Sequence, residues 1–168
     1  HTEHLLDWCD GLGVREVTLY AFSTENFERP AEEREHLFDL IAEKLREFAN
    51  ADRIHDAGVR IGPLGDRDRL PERVRAAIDY AERRTDGYDQ LFLNIALAYG
   101  GRAELLGAAR DIAREVAAAE RDPTEVDVEA VEAALPAGPT RDVDLIVRTG
   151  GCAPHSALPP WPAHRTQC

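Results

Sequence analysis

Residues 91–98, LFLNIALA, form a short apolar run held between two turn signals, Asp86-Gly87 and Gly100-Gly101. That combination predicts a central, buried strand. Downstream, Leu105, Leu106, Ala109, Ile112, Ala113 and Val116 give residues 102–120 a helical stripe, Asp127 caps a shorter helix ending near Leu135, and residues 143–147, VDLIV, predict a fourth strand running into Arg148-Thr149-Gly150-Gly151. Upstream, Leu70, Val74, Ala77, Ile78 and Ala81 recur at helical spacing, and residues 58–64, GVRIGPL, predict a weaker strand limited by Pro63. Pro30 opens a long helix with Glu32 and Glu33 in its first turn and Leu37, Leu40, Ile41, Leu45 and Phe48 as its stripe. Residues 14–22, VREVTLYAF, predict a buried strand, and residues 2–12 the tail of an amphipathic helix. Strand and helix in turn imply an α/β fold with a mainly parallel central sheet flanked by helices. In such sheets ligands bind beyond the carboxyl ends of the strands.

Composition narrows the partners. The 168 residues carry 20 Lys and Arg against 32 Asp and Glu, a formal net charge of −12, and the basic residues are interleaved with acids. Non-specific nucleic-acid binding is thereby excluded. The length suits one domain burying roughly 70% of its unfolded surface, and 43% hydrophobic residues argue against disorder. Lys44 is the only lysine and methionine is absent. Acid excess with arginine in place of lysine is expected of a protein kept soluble in high salt, so a halophilic source is expected. His1 reads as a cut end of a longer chain. With no apolar run of about 18 residues and no charged-then-apolar leader, the expected compartment is the cytoplasm. Cys9, Cys152 and Cys168 lack CxxC spacing and read as reduced structural thiols. His1 and His4 could share a helix face, but with no third ligand near them they read as an exposed helix start.

Three predicted strand ends carry unusual polar sequences: Ser23-Thr24-Glu25-Asn26-Phe27-Glu28-Arg29-Pro30, Tyr99-Gly100-Gly101-Arg102 and Arg148-Thr149-Gly150-Gly151. Glycines let backbone N–H groups approach an anion, and a guanidinium binds phosphate oxygens in pairs. Arg29, Arg102 and Arg148 together suggest a phosphate or diphosphate pocket. Singly, the bland readings are a helix cap for the Ser-Thr pair and a surface arginine after a turn.

Residues 20–30, YAFSTENFERP, resemble the Y-A-F-S-x-E-N-W-x-R-P signature of the cis-prenyltransferases, the undecaprenyl diphosphate synthase family, with Phe27 where tryptophan is usual. Residues 93–102, LNIALAYGGR, are similar to its L-N-I-A-x-N-Y-G-G-R motif with Ala98 in place of asparagine, and residues 142–151, DVDLIVRTGG, to its D-x-D-L-x-I-R-T-G-G motif. The resemblance implies an undecaprenyl diphosphate synthase-like fold and a homodimeric cytosolic enzyme, sometimes at the membrane surface. Such an enzyme condenses isopentenyl diphosphate repeatedly onto an allylic diphosphate, with Mg2+, to make a Z-polyprenyl diphosphate for a lipid carrier. In halophilic archaea the allylic primer would be geranylgeranyl diphosphate. By the same resemblance Asn26 serves the proton-loss step, and Ser23, Thr24 and Glu25 contact substrate. Phe27 packs on the prenyl chain, and Arg29 and Arg148 bind diphosphate, Arg148 at the isopentenyl diphosphate site. A neutral amide has no useful basicity, so Asn26 is expected to orient substrate or pass the proton toward a diphosphate oxygen. Asn94, Gly100, Gly101 and Arg102 read as architectural.

Departures from the family are as informative. Its early magnesium-binding aspartate and D-G-N-x-R segment have no counterpart here, so no metal ligand is expected in this chain. After Gly151 the family's E-x-R-x-S-N-F-L-x-W gives way to CAPHSALPPW, which keeps Ser156 as a weak substrate-site candidate and Trp161. Residues 1–151 therefore read as the central part of one cis-prenyltransferase domain truncated at both ends, and residues 152–168 as an aberrant Pro-rich tail. Turnover by this segment alone is not expected. The alternatives are a non-catalytic cis-prenyltransferase-like scaffold or partner subunit, against which Asn26, Arg29 and Arg148 argue, and an unrelated phosphate-binding α/β module.

Overall fold

Three parallel strands, β1 (Glu16–Ser23), β2 (Val59–Leu64) and β3 (Leu91–Tyr99), form a sheet of order β1-β3-β2 in the computed structural model, which describes residues 8–9, 11–135 and 144–147. The chain divides after Tyr99 into two compact units. In the first, β3 is central, as its apolar run predicts, and Leu93 and Leu97 are buried in the core.

Between the strands of this unit run α1 (Ala31–Asn50), the short α2 (Asp52–Asp56) and α3 (Glu72–Thr85). α1 and α3 pack on each other, and both join one core with the odd-numbered side chains of β3. The buried line of α1 is Phe38, Ala42, Leu45 and Ala49, at i, i+4, i+7 and i+11. This corrects the expected stripe, which gave weight to large side chains: Leu37, Ile41 and Phe48 flank the line, and Leu40 is 43% exposed. The alanines matter because they let α1 approach α3, whose own buried line is Val74, Ala77, Ile78 and Ala81. Fully buried Val, Leu, Ile and Phe side chains contribute about 1.5–3 kcal/mol each by leaving water.

The two outer strands differ. Pro63 lies in β2, which is tolerated because β2 is an edge strand and a proline there gives up no ladder hydrogen bond. The Ile61 amide donates to Thr85 Oγ1 at 3.0 Å, and the Thr85 hydroxyl donates in turn to the Ala81 carbonyl at 2.9 Å. A fully buried helix-end threonine thus satisfies a strand-edge amide. β1 is the other outer strand of the described sheet. The expectation of a buried strand fails there: Thr18, Tyr20 and Ala21 are exposed on an outer strand of the described sheet.

In the second unit, α4 (Gly101–Ala117) buries Ala108 and Ile112, and α5 (Val128–Ala134) starts at Asp127, whose carboxylate accepts the Ala130 amide at 2.9 Å. Residues 109 and 113, expected on the buried stripe of α4, are exposed alanines, and Leu106 is half exposed. Of the predicted fourth strand, residues 144–147 are described, and Leu145 alone makes a bridge. Trp8, Cys9 and Gly11 are helical, at the end of the predicted N-terminal helix. Cys9 is buried in the core of the first unit, and burial pushes its thiol pKa up. His1, His4, Arg148, Cys152, Ser156, Trp161 and Cys168 lie outside the described residues.

Candidate diphosphate site at the end of β1

β1 ends in two register shifts. Tyr20 pairs with Ala96, Phe22 with Leu97 and Ser23 with Tyr99, so Ala21 and Ala98 are bulged out of the ladder. The shifts bury both Phe22 and Ser23 and bring the chain straight into a 3-10 turn, Thr24–Glu28. Ala98 takes φ +52°, in the left-handed region that a side chain with Cβ enters at a cost of about 1–2 kcal/mol and that asparagine tolerates better. This is where the family motif carries asparagine. Beside it, Gly65 has φ +115°, and a Cβ there would sit 2.2 Å from the Leu97 carbonyl oxygen. The ends of β2 and β3 therefore close up only around a glycine. The Tyr20 hydroxyl donates to the Tyr99 carbonyl at 2.8 Å, tying β1 to β3 at the same end.

Asn26 is the hub of the turn. Its Oδ1 accepts the Ser23 amide at 2.7 Å in a capping box, so the amide oxygen is committed to the backbone. Nδ2 remains a donor that no described residue accepts from. Phe27 is half buried, its ring edge-on to Phe22 at 5.0 Å between centroids and 6.2 Å from Phe38 of α1. Arg34 Nη1 donates to the Phe27 carbonyl at 3.1 Å, fastening the turn to the first helix. Arg29 is exposed and paired with Glu33 one helical turn on, leaving further guanidinium N–H groups for an anion. Thr24 Oγ1 lies 3.5 Å from Glu25 Oε2, at the exposed lip of the turn.

The structure thus brings Ser23, Thr24, Glu25, Asn26, Phe27 and Arg29 together on one turn. Asn94 sits back in the sheet, its Nδ2 donating to Glu16 Oε1 at 2.8 Å across β1 and β3. Gly100 caps α4, and Arg102 is exposed in its first turn. A cleft lined by Arg60, Glu82, Asp86, Phe92 and Asn94 opens against the earlier part of β2 and β3, away from the strand ends. One residue escaped the reading of the sequence. The Arg69 guanidinium lies over the Phe27 ring, 4.2 Å from its centroid. The signal was available: Gly65-Asp66-Arg67-Asp68-Arg69 follows β2 as the other polar runs follow their strands, and the strand-end rule applies to it equally.

Among the described residues no three His, Cys, Asp or Glu side chains gather as a metal site, and no helix is long and apolar enough to cross a membrane. The residues in view do not form a magnesium cage.

Comparison with known proteins bears on this turn. The family described as "Putative undecaprenyl diphosphate synthase" matches residues 1–167. The chain is 66% identical over 163 residues to the tritrans,polycis-undecaprenyl-diphosphate synthase (geranylgeranyl-diphosphate specific) of Haloarcula marismortui, covering 97% of this chain and 54% of that protein. It therefore spans about half the length of the curated relatives it matches. Among solved structures, a probable undecaprenyl diphosphate synthase from Campylobacter jejuni superposes with TM-score 0.82 at 28% identity over 99% of this chain and 76% of that one. Lavandulyl diphosphate synthase from Lavandula x intermedia, in complex with dimethylallyl diphosphate, superposes with TM-score 0.72 at 29% identity over 80% and 57%. A bulged parallel sheet ending in an Asn-centred turn, with a family match along almost the whole sequence, leads to one conclusion: the chain belongs to the undecaprenyl diphosphate synthase family of prenyltransferases.

Proposed function

We propose that this chain is the central part of a Z-specific polyprenyl diphosphate synthase that extends geranylgeranyl diphosphate with isopentenyl diphosphate. The primer is the one in the name of the Haloarcula marismortui relative. In each step a C–C bond forms between isopentenyl C4 and allylic C1, the allylic C–O bond breaks and diphosphate leaves with its electron pair. A proton is then lost from isopentenyl C2.

The observation that carries the reading is the capping geometry of Asn26. Oδ1 is engaged by the Ser23 amide, and a neutral amide is too weak a base to take the substrate proton, so the side chain has its Nδ2 donor to offer the substrate. Asn26 therefore orients a diphosphate oxygen through Nδ2, and that oxygen takes the proton. Arg29 adds charge-assisted donors on the same turn. Phe27 offers the prenyl chain an apolar edge backed by Phe22 and Phe38. Ser23, Thr24 and Glu25 shape the mouth; by the family motif Arg148 binds isopentenyl diphosphate, and Ser156 is a weaker substrate-site candidate. Magnesium, a homodimer and a peripheral membrane contact belong to this proposal through the family.

The test is a chimera in which residues 1–151 replace the segment they match in the Haloarcula marismortui synthase. Incorporation of labelled isopentenyl diphosphate is expected to need magnesium and geranylgeranyl diphosphate. Asn26→Ala is expected to lower turnover about 100-fold, and Arg148→Ala to raise the KM for isopentenyl diphosphate. Undiminished activity in both variants would overturn the residue roles.

A further inference from the structure

We propose that Arg69, at the end of β2, is a further diphosphate-binding residue of the turn at the end of β1; the inference rests on the function proposed above. The Cζ of its guanidinium lies over the ring of Phe27, 4.2 Å from the centroid, and Phe27 is the residue next to Asn26 and two before Arg29. A guanidinium carries five N–H donors in one planar fork, and a ring contact uses none of them as an ordinary hydrogen bond to an acceptor atom. The ring contact holds the side chain at the turn.

The charge of Arg69 is uncommitted. In a chain of net charge −12, Arg67 is paired with Asp79 and Glu82, Arg73 with Glu35 and Asp39, and Arg29 with Glu33, while Arg34 bonds the Phe27 carbonyl. Among the described residues no carboxylate pairs with Arg69, which is exposed. Arg67, two positions earlier, shows what a structural arginine in this loop does, since it fastens the loop to α3. An exposed cation held against an aromatic ring, in a loop where acids are plentiful, fits an external anion better than a structural brace. The same turn carries the Nδ2 of Asn26 and the guanidinium of Arg29, which can donate to a phosphate, together with the carboxylates of Glu25 and Glu28, which leave a cation there the more needed.

Calorimetric titration of the 168-residue chain with inorganic diphosphate, repeated at several salt concentrations, tests this. Arg69→Gln is expected to weaken binding about tenfold and to flatten its salt dependence, with thermal unfolding unchanged because the side chain is exposed. Arg69→Lys, which keeps the charge and loses the planar fork, is expected between the two. Affinity and salt slope of Arg69→Gln within twofold of the unsubstituted chain, while Arg29→Ala still weakens binding, would overturn the role of Arg69 and leave the proposed function standing. A lysine variant of full affinity would overturn the stacked fork. No binding by the unsubstituted chain would overturn both proposals together.

Discussion

The two outer strands of the first unit share a sheet and a partner, yet they end differently. β2 is sealed: Pro63 has no N–H to offer, Thr85 takes the Ile61 amide, and Gly65 lets the chain pass under the Leu97 carbonyl. β1 leaves Thr18, Tyr20 and Ala21 exposed, and it ends in a turn where the Nδ2 of Asn26 finds no acceptor among the described residues. The polar atoms at the β2 edge are satisfied within the protein and contribute stability. At the end of β1, Asn26 Nδ2 has no acceptor among the described residues, and under the proposed function such groups contribute recognition. Substitutions at the first place should cost folding free energy and leave binding alone; at the second the reverse should hold.

The harshest way to break the sealed side is Gly65→Ala. A Cβ 2.2 Å from a backbone oxygen, on a residue at φ +115°, is expected to cost about 3 kcal/mol or more in chemical denaturation. A smaller loss would mean that the strand ends shift easily. Next comes Asn26→Asp at the end of β1. Asp keeps an acceptor for the Ser23 amide but turns the Nδ2 donor into a charged acceptor, so stability should stay within about 0.5 kcal/mol while diphosphate affinity falls about 100-fold. Equal losses of stability and binding would erase the distinction.

Thr85→Val removes the hydroxyl at nearly constant volume and leaves the Ile61 amide unpaired. It is expected to destabilise by about 1–3 kcal/mol with diphosphate binding unchanged. Ala98→Asn should work the other way, stabilising by about 0.5–1 kcal/mol by relieving the left-handed alanine. The smallest effect lies in the second unit. Hydrogen bonds from the Thr124 hydroxyl and amide hold the Asp122 carboxyl below its ordinary value of 3.8. A depressed pKa gives stability present above the unfolded value and lost as pH falls through the folded one. The protection of the Thr124 amide against exchange, relative to its intrinsic rate at each pH, should therefore fall only below about pH 4.

Much of this was legible in the sequence, and what was missed has physical causes. The central strand and the polar turn after β1 could be read because apolar runs and strand-end chemistry are local. Ala42 and Ala49 were passed over because a small side chain weighs little in a hydrophobic pattern, although helix–helix approach depends on it. β1 was expected to be buried because apolar content does not reveal which strands have neighbours. Thr85 and Arg69 act across 24 and 42 residues, on Ile61 and Phe27, and only the fold brings those pairs together. Ala98 left a trace, an alanine where the family motif has asparagine, but its meaning needed the φ angle.

The central claim is that the turn at the end of β1 handles a prenyl diphosphate through a donating Asn26 amide. Its most direct test is the rate of isopentenyl diphosphate incorporation by the Haloarcula chimera, measured for Asn26, Asn26→Ala and Asn26→Asp side by side. The account expects both variants to lose about 100-fold, Asp no less than Ala, because only the donor matters. An aspartate variant as active as asparagine or more so would show that a base is wanted there, and would contradict it.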